Sequence, residues 1–235
     1  MHSILPPDNE TRLVREFLNS PSGFFVDVGA NDPTFCSQTW ELEQSGWTGI
    51  LIEPQPQLAE RLLRERTSSV YAIACSSPSN SGKEMLLHVA GPMSSLHKEW
   101  APPESGIMVP VRTLDQILVD AKAPSPIDFL SIDVEGHTCE VLDGFDLSKW
   151  RPRLILVEDH VMNLQVHRRM LAASYRWVRR TGLNSWYIPA KDFKALGFVG
   201  RLQFIRKYYL GTPFRYARDF LRRVRGFKYP LTRQY

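Results

Sequence analysis

The chain has only three cysteines among its 235 residues, Cys36, Cys75 and Cys139, and no two of them form a CxxC pair. An odd, scattered set supplies neither a disulfide framework nor zinc-finger spacing, so a reduced, cytoplasmic chain without a structural zinc site is expected. No apolar run approaches the roughly 18 residues needed to cross a bilayer. The opening MHSILPPDNE has neither the basic nor the apolar segment of a secretory leader. Two glycine signatures are also missing, GxGxxG and the phosphate-binding GxxxxGK[ST], which disfavours a pyrophosphate cradle and with it a nicotinamide-dependent oxidoreductase. Internal repeats and low-complexity linkers are absent too.

The 43% hydrophobic and 23% charged residues are ordinary for a water-soluble globular protein, and the length suits one α/β domain. The net charge of +4 conceals an asymmetry. Residues 200–235 carry ten Lys/Arg against the single acid Asp219, whereas residues 1–199 carry nineteen against twenty-four acids. The body is mildly acidic and the C-terminal segment strongly basic. Two units are expected, a catalytic domain over residues 1–199 and a basic amphipathic extension over residues 200–235.

Apolar residues at helical spacing (Leu13, Val14, Phe17, Leu18) predict a helix over residues 9–19. Short apolar runs predict buried strands at 24–28, 49–53, 69–74, 127–133 and 154–158, and extended segments at 84–90 and 107–111. Helices are expected at 37–45, at 56–66 with Pro56 in the first turn, at 113–119 capped by Thr113, and at 165–173. Residues 175–180 and 185–189, parted by Gly182 and Asn184, should form a closing hairpin. Strands alternating with helices imply a mostly parallel, doubly wound α/β sheet, and the hairpin makes its last strand antiparallel.

Four of the five parallel strands end on or near an acid: Asp27, Glu53, Asp133 and Glu158. Ligands of open α/β sheets bind outside the carboxyl ends of the strands. Several carboxylates on one rim repel each other unless a positive group sits among them. Asp27-Val28-Gly29-Ala30-Asn31 supplies a tight turn in which Gly29 admits close backbone approach. An acid closing the second strand, Glu53, suits the paired hydroxyls of a ribose. A ribose-bearing ligand with a positive end and no phosphate matches S-adenosylmethionine.

The segments Val26-Asp27-Val28-Gly29-Ala30-Asn31, Ile52-Glu53-Pro54, Thr113-Leu114-Asp115, Ile132-Asp133-Val134-Glu135-Gly136, Val141-Leu142-Asp143-Gly144 and Val157-Glu158 resemble the FkbM family of methyltransferases over residues 23–190. The resemblance implies a Rossmann-like class I methyltransferase fold, S-adenosylmethionine as donor, and a hydroxyl acceptor on a sugar, glycolipid or natural product. It places Asp27, Gly29, Ala30 and Asn31 at the methionine end of the cofactor, with Asp133 nearby. It also sets Glu53 on the ribose, and the turn after the third strand, Ala74 and Cys75, near the adenine. Three positions depart from the pattern: Asp32-Pro33 where a glycine is common, Ser131 where Lys is frequent, and His137-Thr138-Cys139 where an acid follows the IDVEG segment.

An alcohol is a poor nucleophile at neutral pH, so its activation by a base or a metal is expected. In one reading His160 or Asp133 takes the hydroxyl proton. In the other, Asp133, Glu135, Glu158 and His160 gather a divalent cation, Mg²⁺ or Mn²⁺. Simpler roles stand beside these: Glu135 as a helix cap, His137 and His167 as surface residues, Trp40 and Trp47 as packing residues, and Ser94-Ser95 as a solvated turn.

In the extension, aromatic and aliphatic residues such as Phe204, Tyr208, Phe214 and Phe220 interleave with the ten cations. That pattern fits helices packed on the domain or on a second subunit of a homo-oligomer. It also fits peripheral contact with the inner face of a membrane. Nucleic acid ranks third, because no recognition motif accompanies the charge. The competing non-enzymatic reading is a binding module that keeps the cofactor fold without turnover.

Overall fold

The structure, a computed structural model, describes residues 7–89, 94–96, 106–159, 164–194 and 196–224. It opens with α1 (Pro7–Leu18), β1 (Phe24–Val28), α2 (Trp40–Gln44), β2 (Thr48–Ile52), α3 (Pro56–Glu65) and β3 (Ser69–Tyr71). The middle of the chain holds β4 (Ala74–Cys75), β5 (Glu84–His88), β6 (Gly106–Arg112) and α4 (Leu114–Asp120). Then come β7 (Phe129–Ile132), α5 (Thr138–Asp143), α6 (Leu147–Trp150), β8 (Leu154–Glu158), α7 (Gln165–Ala172), β9 (Tyr175–Thr181) and β10 (Asn184–Pro189).

Seven strands form one sheet in the order β3-β2-β1-β7-β8-β10-β9. The strands from β3 to β8 run parallel, while β10 is antiparallel to both β8 and β9. This is the doubly wound arrangement read from the sequence, including the antiparallel final strand. The chain winds outward from β1 to β3, then returns to lay β7 on the other side of β1. The switch point of the sheet therefore lies between β1 and β7, where open α/β sheets bind their ligands.

The central strands are apolar on both faces because both faces are covered. Val26 and Val28 point into one core with Ile50, Ile52, Leu130 and Ile132, while Phe25, Leu51 and Phe129 point into the opposite one. Helices α1, α2 and α3 close the second face through Val14, Leu42 and Leu62; α4, α5 and α7 close the first through Leu114, Val141 and Val166. The two-residue alternation of a strand explains why these runs are apolar at nearly every position, with buried Asp27 in β1 and Ser131 in β7 as the polar exceptions.

Three readings are corrected by the structure. The strand expected at 69–74 breaks after Tyr71, and Ala74–Cys75 join a separate three-stranded sheet in the order β4-β6-β5. Its small core is Ala74, Leu87, Val109 and Val111. The helix expected at 37–45 covers Trp40–Gln44 alone, because the preceding residues form a loop pinned by side-chain contacts described below. His137 and His167 are buried rather than on the surface. As expected, Thr113 caps α4, in a capping box with Gln116, and Trp47 is a core residue.

After a short turn the chain continues as α8 (Phe198–Phe204), a π-helical segment (Ile205–Leu210) and α9 (Gly211–Val224). The π turn drives Tyr208 inward to 2% exposure. Phe204 stacks on Tyr208 with ring centroids 4.9 Å apart and lies 5.2 Å from Trp177. The first half of the basic extension is thus rooted in the domain.

Candidate active site

The tips of β1, β2 and β7 are stitched together by main-chain bonds. Gly29 N–H and Ala30 N–H donate to the Ile52 carbonyl at 2.9 and 3.1 Å, and Asp133 N–H donates to the Val28 carbonyl at 2.9 Å. Gly29 has φ +87°, and a Cβ there would stand 1.8 Å from the Asp133 carbonyl oxygen. Only glycine allows this turn and this approach.

Glu53, 3% exposed, follows β2 and faces the same turn. Its Oε2 accepts the N–H of Asn31 and its Oε1 the N–H of Gln55, each at 2.9 Å. Burial pushes its carboxyl above the ordinary glutamate range, against those bonds. The Gln55 side chain also bonds this carboxyl, and a carboxylate of this kind is an acceptor suited to a vicinal diol.

Asp27 lies deeper. Thr39 Oγ1 donates to its Oδ2 at 2.8 Å, and burial raises its carboxyl while Thr39, Arg66 and Ser131 oppose the rise. Thr39 Oγ1 also accepts from Arg66 Nη2 at 3.2 Å. Arg66 Nη1 holds the Pro33 carbonyl at 3.0 Å, and Arg66 Nε is paired with Glu43 inside the protein. The Asp32 carboxylate takes the N–H groups of Thr34 and Phe35 at 3.0 and 2.9 Å, and Arg61 at 2.9 Å. The departure at Asp32-Pro33 is thereby explained: two arginines fix a loop that glycine would leave loose. Neither arginine stood out in the sequence, since their partners lie 23 to 33 residues away.

Asp133 and Glu135, just past β7, and Glu158, the last residue of β8, come together with carboxylate oxygens within 4.8 Å of one another. Asp133 is exposed, Glu135 half-buried and Glu158 buried. Burial, and then the charges of Asp133 and Glu135, hold the Glu158 carboxyl well above the usual range. Glu135 adopts φ +43° and Gly136 φ +86°, a left-handed pair that turns the chain so that Glu135 faces Glu158's side of the rim. A non-glycine residue held left-handed needs support. Ser95 supplies it: nearly fully buried, its hydroxyl donates to the Glu135 carbonyl at 2.6 Å. Ser95 is therefore not a solvated turn, and Glu135 does not cap α5, whose N-cap is His137. His137 Nε2 instead meets Ser76 Oγ at 2.8 Å beneath the rim.

Of the residues expected in the site, Asp27, Gly29, Ala30, Asn31 and Glu53 border the switch point and Asp133, Glu135 and Glu158 cluster beside it. Ala74 and Cys75 do not form a turn after the third strand. They are buried in β4 against Val111 and Arg112, and burial raises the Cys75 thiol. His160 lies outside the described residues.

The donor set fits S-adenosylmethionine: buried carboxyls with raised affinity for protons stand where a cationic ligand would offset them, and Glu53 presents acceptors for a ribose. Three hard carboxylate groups also fit Mg²⁺ or Mn²⁺.

No curated protein matches the chain. Several solved structures are distantly similar. Precorrin-6y C5,15-methyltransferase from Geobacter metallireducens GS-15 aligns at 10% identity over 80% of this chain and 90% of its own, with a TM-score of 0.43. M. capricolum TrmK, in complex with S-adenosyl-homocysteine, aligns at 12% identity over 76% and 65%, with a TM-score of 0.40. The N-terminal domain of human METTL16, also in complex with that product, aligns at 11% identity over 80% and 70%, with a TM-score of 0.41. The sequence profile of the methyltransferase FkbM domain matches residues 27–177, from the acid of β1 into β9 and well over half the chain, so the chain belongs to the FkbM family of S-adenosylmethionine-dependent methyltransferases.

Proposed function

We propose that this enzyme transfers a methyl group from S-adenosylmethionine to a hydroxyl of a sugar, glycolipid or other natural product. The observation that carries this reading is the gathering of Asp133, Glu135 and Glu158 beside the switch point. When bound, S-adenosylmethionine supplies a methyl group already activated on a sulfonium. The chain must then bind, align and deprotonate. Glu53 anchors the ribose, the Gly29–Asn31 turn bounds the methionine end, and the loop held by Arg61 and Arg66 keeps both in place. Alignment of acceptor and donor contributes several kcal/mol to such displacements. A carboxyl with a raised proton affinity is a competent base near neutral pH, worth about 10²–10⁴-fold in rate. Glu158 is that carboxyl, with Asp133 and Glu135 making its proton acceptance more favourable.

A second reading is favoured by the same three-acid cluster. Asp133, Glu135 and Glu158 would hold a divalent cation, whose charge would lower the acceptor's pKa in place of a base.

The test is methyl transfer from labelled donor to a panel of sugars and glycolipids, with chelator and with added Mg²⁺ or Mn²⁺, beside calorimetric titration with S-adenosylhomocysteine. Turnover that survives chelation supports the base; turnover lost to chelator and restored by the ion supports the metal. Product binding without turnover on any acceptor would favour a cofactor-fold binding module instead.

A further inference from the structure

The helical run from Phe198 to Val224 uses only part of its surface against the domain. Phe204 and Tyr208 face inward onto Trp177 and His167, and Tyr208 donates to Asp159, the residue after Glu158. The outward face of the first half is apolar as well. Phe198, Leu202, Ile205 and Tyr209, spaced four, three and four residues apart, are all exposed. This spacing keeps them on one stripe of the helix.

α9 repeats the pattern further from the domain. Phe214, Leu221 and Val224 fall on one arc with Phe220 beside them, and Phe214 is 78% exposed. Arg215, Arg218 and Arg222 fall along one edge of that arc by their positions in the helix, Arg218 one turn from Phe214. A contiguous run of exposed large apolar side chains marks a surface that something covers. The domain itself does not cover it.

We propose that this helical run lies flat on an anionic lipid bilayer, with its apolar face in the interface and its cations among the headgroups. Charge selects the partner. Residues 200–235 hold ten Lys/Arg against one acid, so a second copy docked through the same helix would bring two like-charged segments together. A nucleic acid would engage the cations and leave the phenylalanine and leucine face in water. A bilayer carrying anionic lipid satisfies both faces at once. The geometry is that of a surface helix: no helix among the described residues is long and apolar enough to cross a membrane. The proposal concerns the helix and stands independently of which hydroxyl the enzyme methylates.

The experiment is co-sedimentation of the full chain with phosphatidylcholine vesicles, with and without one-third phosphatidylglycerol, alongside sedimentation velocity of the protein alone. The expected result is pelleting with the anionic vesicles, little with the neutral ones, and release as ionic strength rises. Phe214→Glu with Leu221→Glu should abolish pelleting while circular dichroism and monomer mass stay unchanged. Arg206→Ala, at an exposed position, should weaken binding roughly fivefold. Protein that stays in the supernatant with both vesicles overturns the proposal. So does a dimer that the double substitution dissolves without any vesicle binding, or pelleting that the double substitution and Arg206→Ala both leave intact.

Discussion

Asn31 donates its backbone N–H to Glu53 Oε2 at 2.9 Å, so the left-handed residue that turns the chain out of β1 and the acid that closes β2 act as one unit. This bond ties the turn after β1 to the end of β2 at the switch-point edge of the sheet. Glu53→Ala removes the acceptor for Asn31 and, with it, the carboxylate proposed to hold the ribose. Hydrogen bonds to a charged group contribute about 1.5–3 kcal/mol, so S-adenosylhomocysteine should bind at least about tenfold more weakly in calorimetry. Unchanged affinity would remove Glu53 from the cofactor site.

Gly29 has no room for a side chain. Gly29→Ala must move the Asp133 carbonyl and also accept φ +87°, a conformation that costs a non-glycine residue about 1–2 kcal/mol before any clash. The variant should melt at least about 5 °C below wild type or fail to accumulate as soluble protein. A wild-type melting curve would mean that β1 and β7 are not so closely apposed.

Asp27 gives a pH dependence with a definite sign. Burial holds its folded-state pKa above the ordinary aspartate value, so the folded state binds the proton more tightly than the unfolded state does. Stability from this group is therefore greatest in acid and falls as pH rises through and above the ordinary aspartate range. Asp27→Asn keeps an acceptor for Thr39 and carries no charge. Its stability relative to wild type should improve between about pH 4 and about pH 7 in denaturant titrations. A difference that moves the other way would show Asp27 to be stabilised as an anion.

Arg66 is expected to support the loop between β1 and α2 through its bonds to Pro33, Thr39 and Glu43. Removing one member of a buried ion pair costs about 3–5 kcal/mol, because the other charge is left stranded. Arg66→Ala should lose that much in denaturant unfolding, and Arg66→Ala with Glu43→Ala should lose less than the sum of the two single changes. Additive losses would mean that the pair is not coupled.

Glu158→Gln separates chemistry from cofactor binding. If Glu158 takes the acceptor proton, turnover should fall by about 10²–10⁴-fold while affinity for S-adenosylhomocysteine stays close to wild type. A matching loss of product affinity would place Glu158 in cofactor binding instead.

Much of the site was legible because strand ends carry a local signal. An apolar run that stops on an acid, as at Asp27, Glu53 and Glu158, states where a strand emerges from the core and what it delivers there. The resemblance of the IDVEG segment pointed to the same rim. Arg66, Ser95, His137 and Tyr208 gave no such signal, since each acts on a partner distant in sequence: Pro33, Glu135, Ser76 and Asp159. His137 and His167 look like surface residues in sequence because a histidine's burial depends on what packs over it. Ala74 and Cys75 were placed in a turn because three further apolar residues cannot show whether a strand continues or changes sheet.

The sequence by itself determined the alternating α/β order, the parallel strands, the antiparallel final strand, the family and the basic character of the extension, because periodicity, turn chemistry and charge are properties of neighbouring residues. Tertiary structure decided how closely Asp133, Glu135 and Glu158 approach, and it alone decided that Arg66 reaches the loop before α2 and that Tyr208 anchors a helix whose outer face stays bare. These depend on which strands lie side by side across the switch point, and that adjacency arises only when both faces of the sheet are packed.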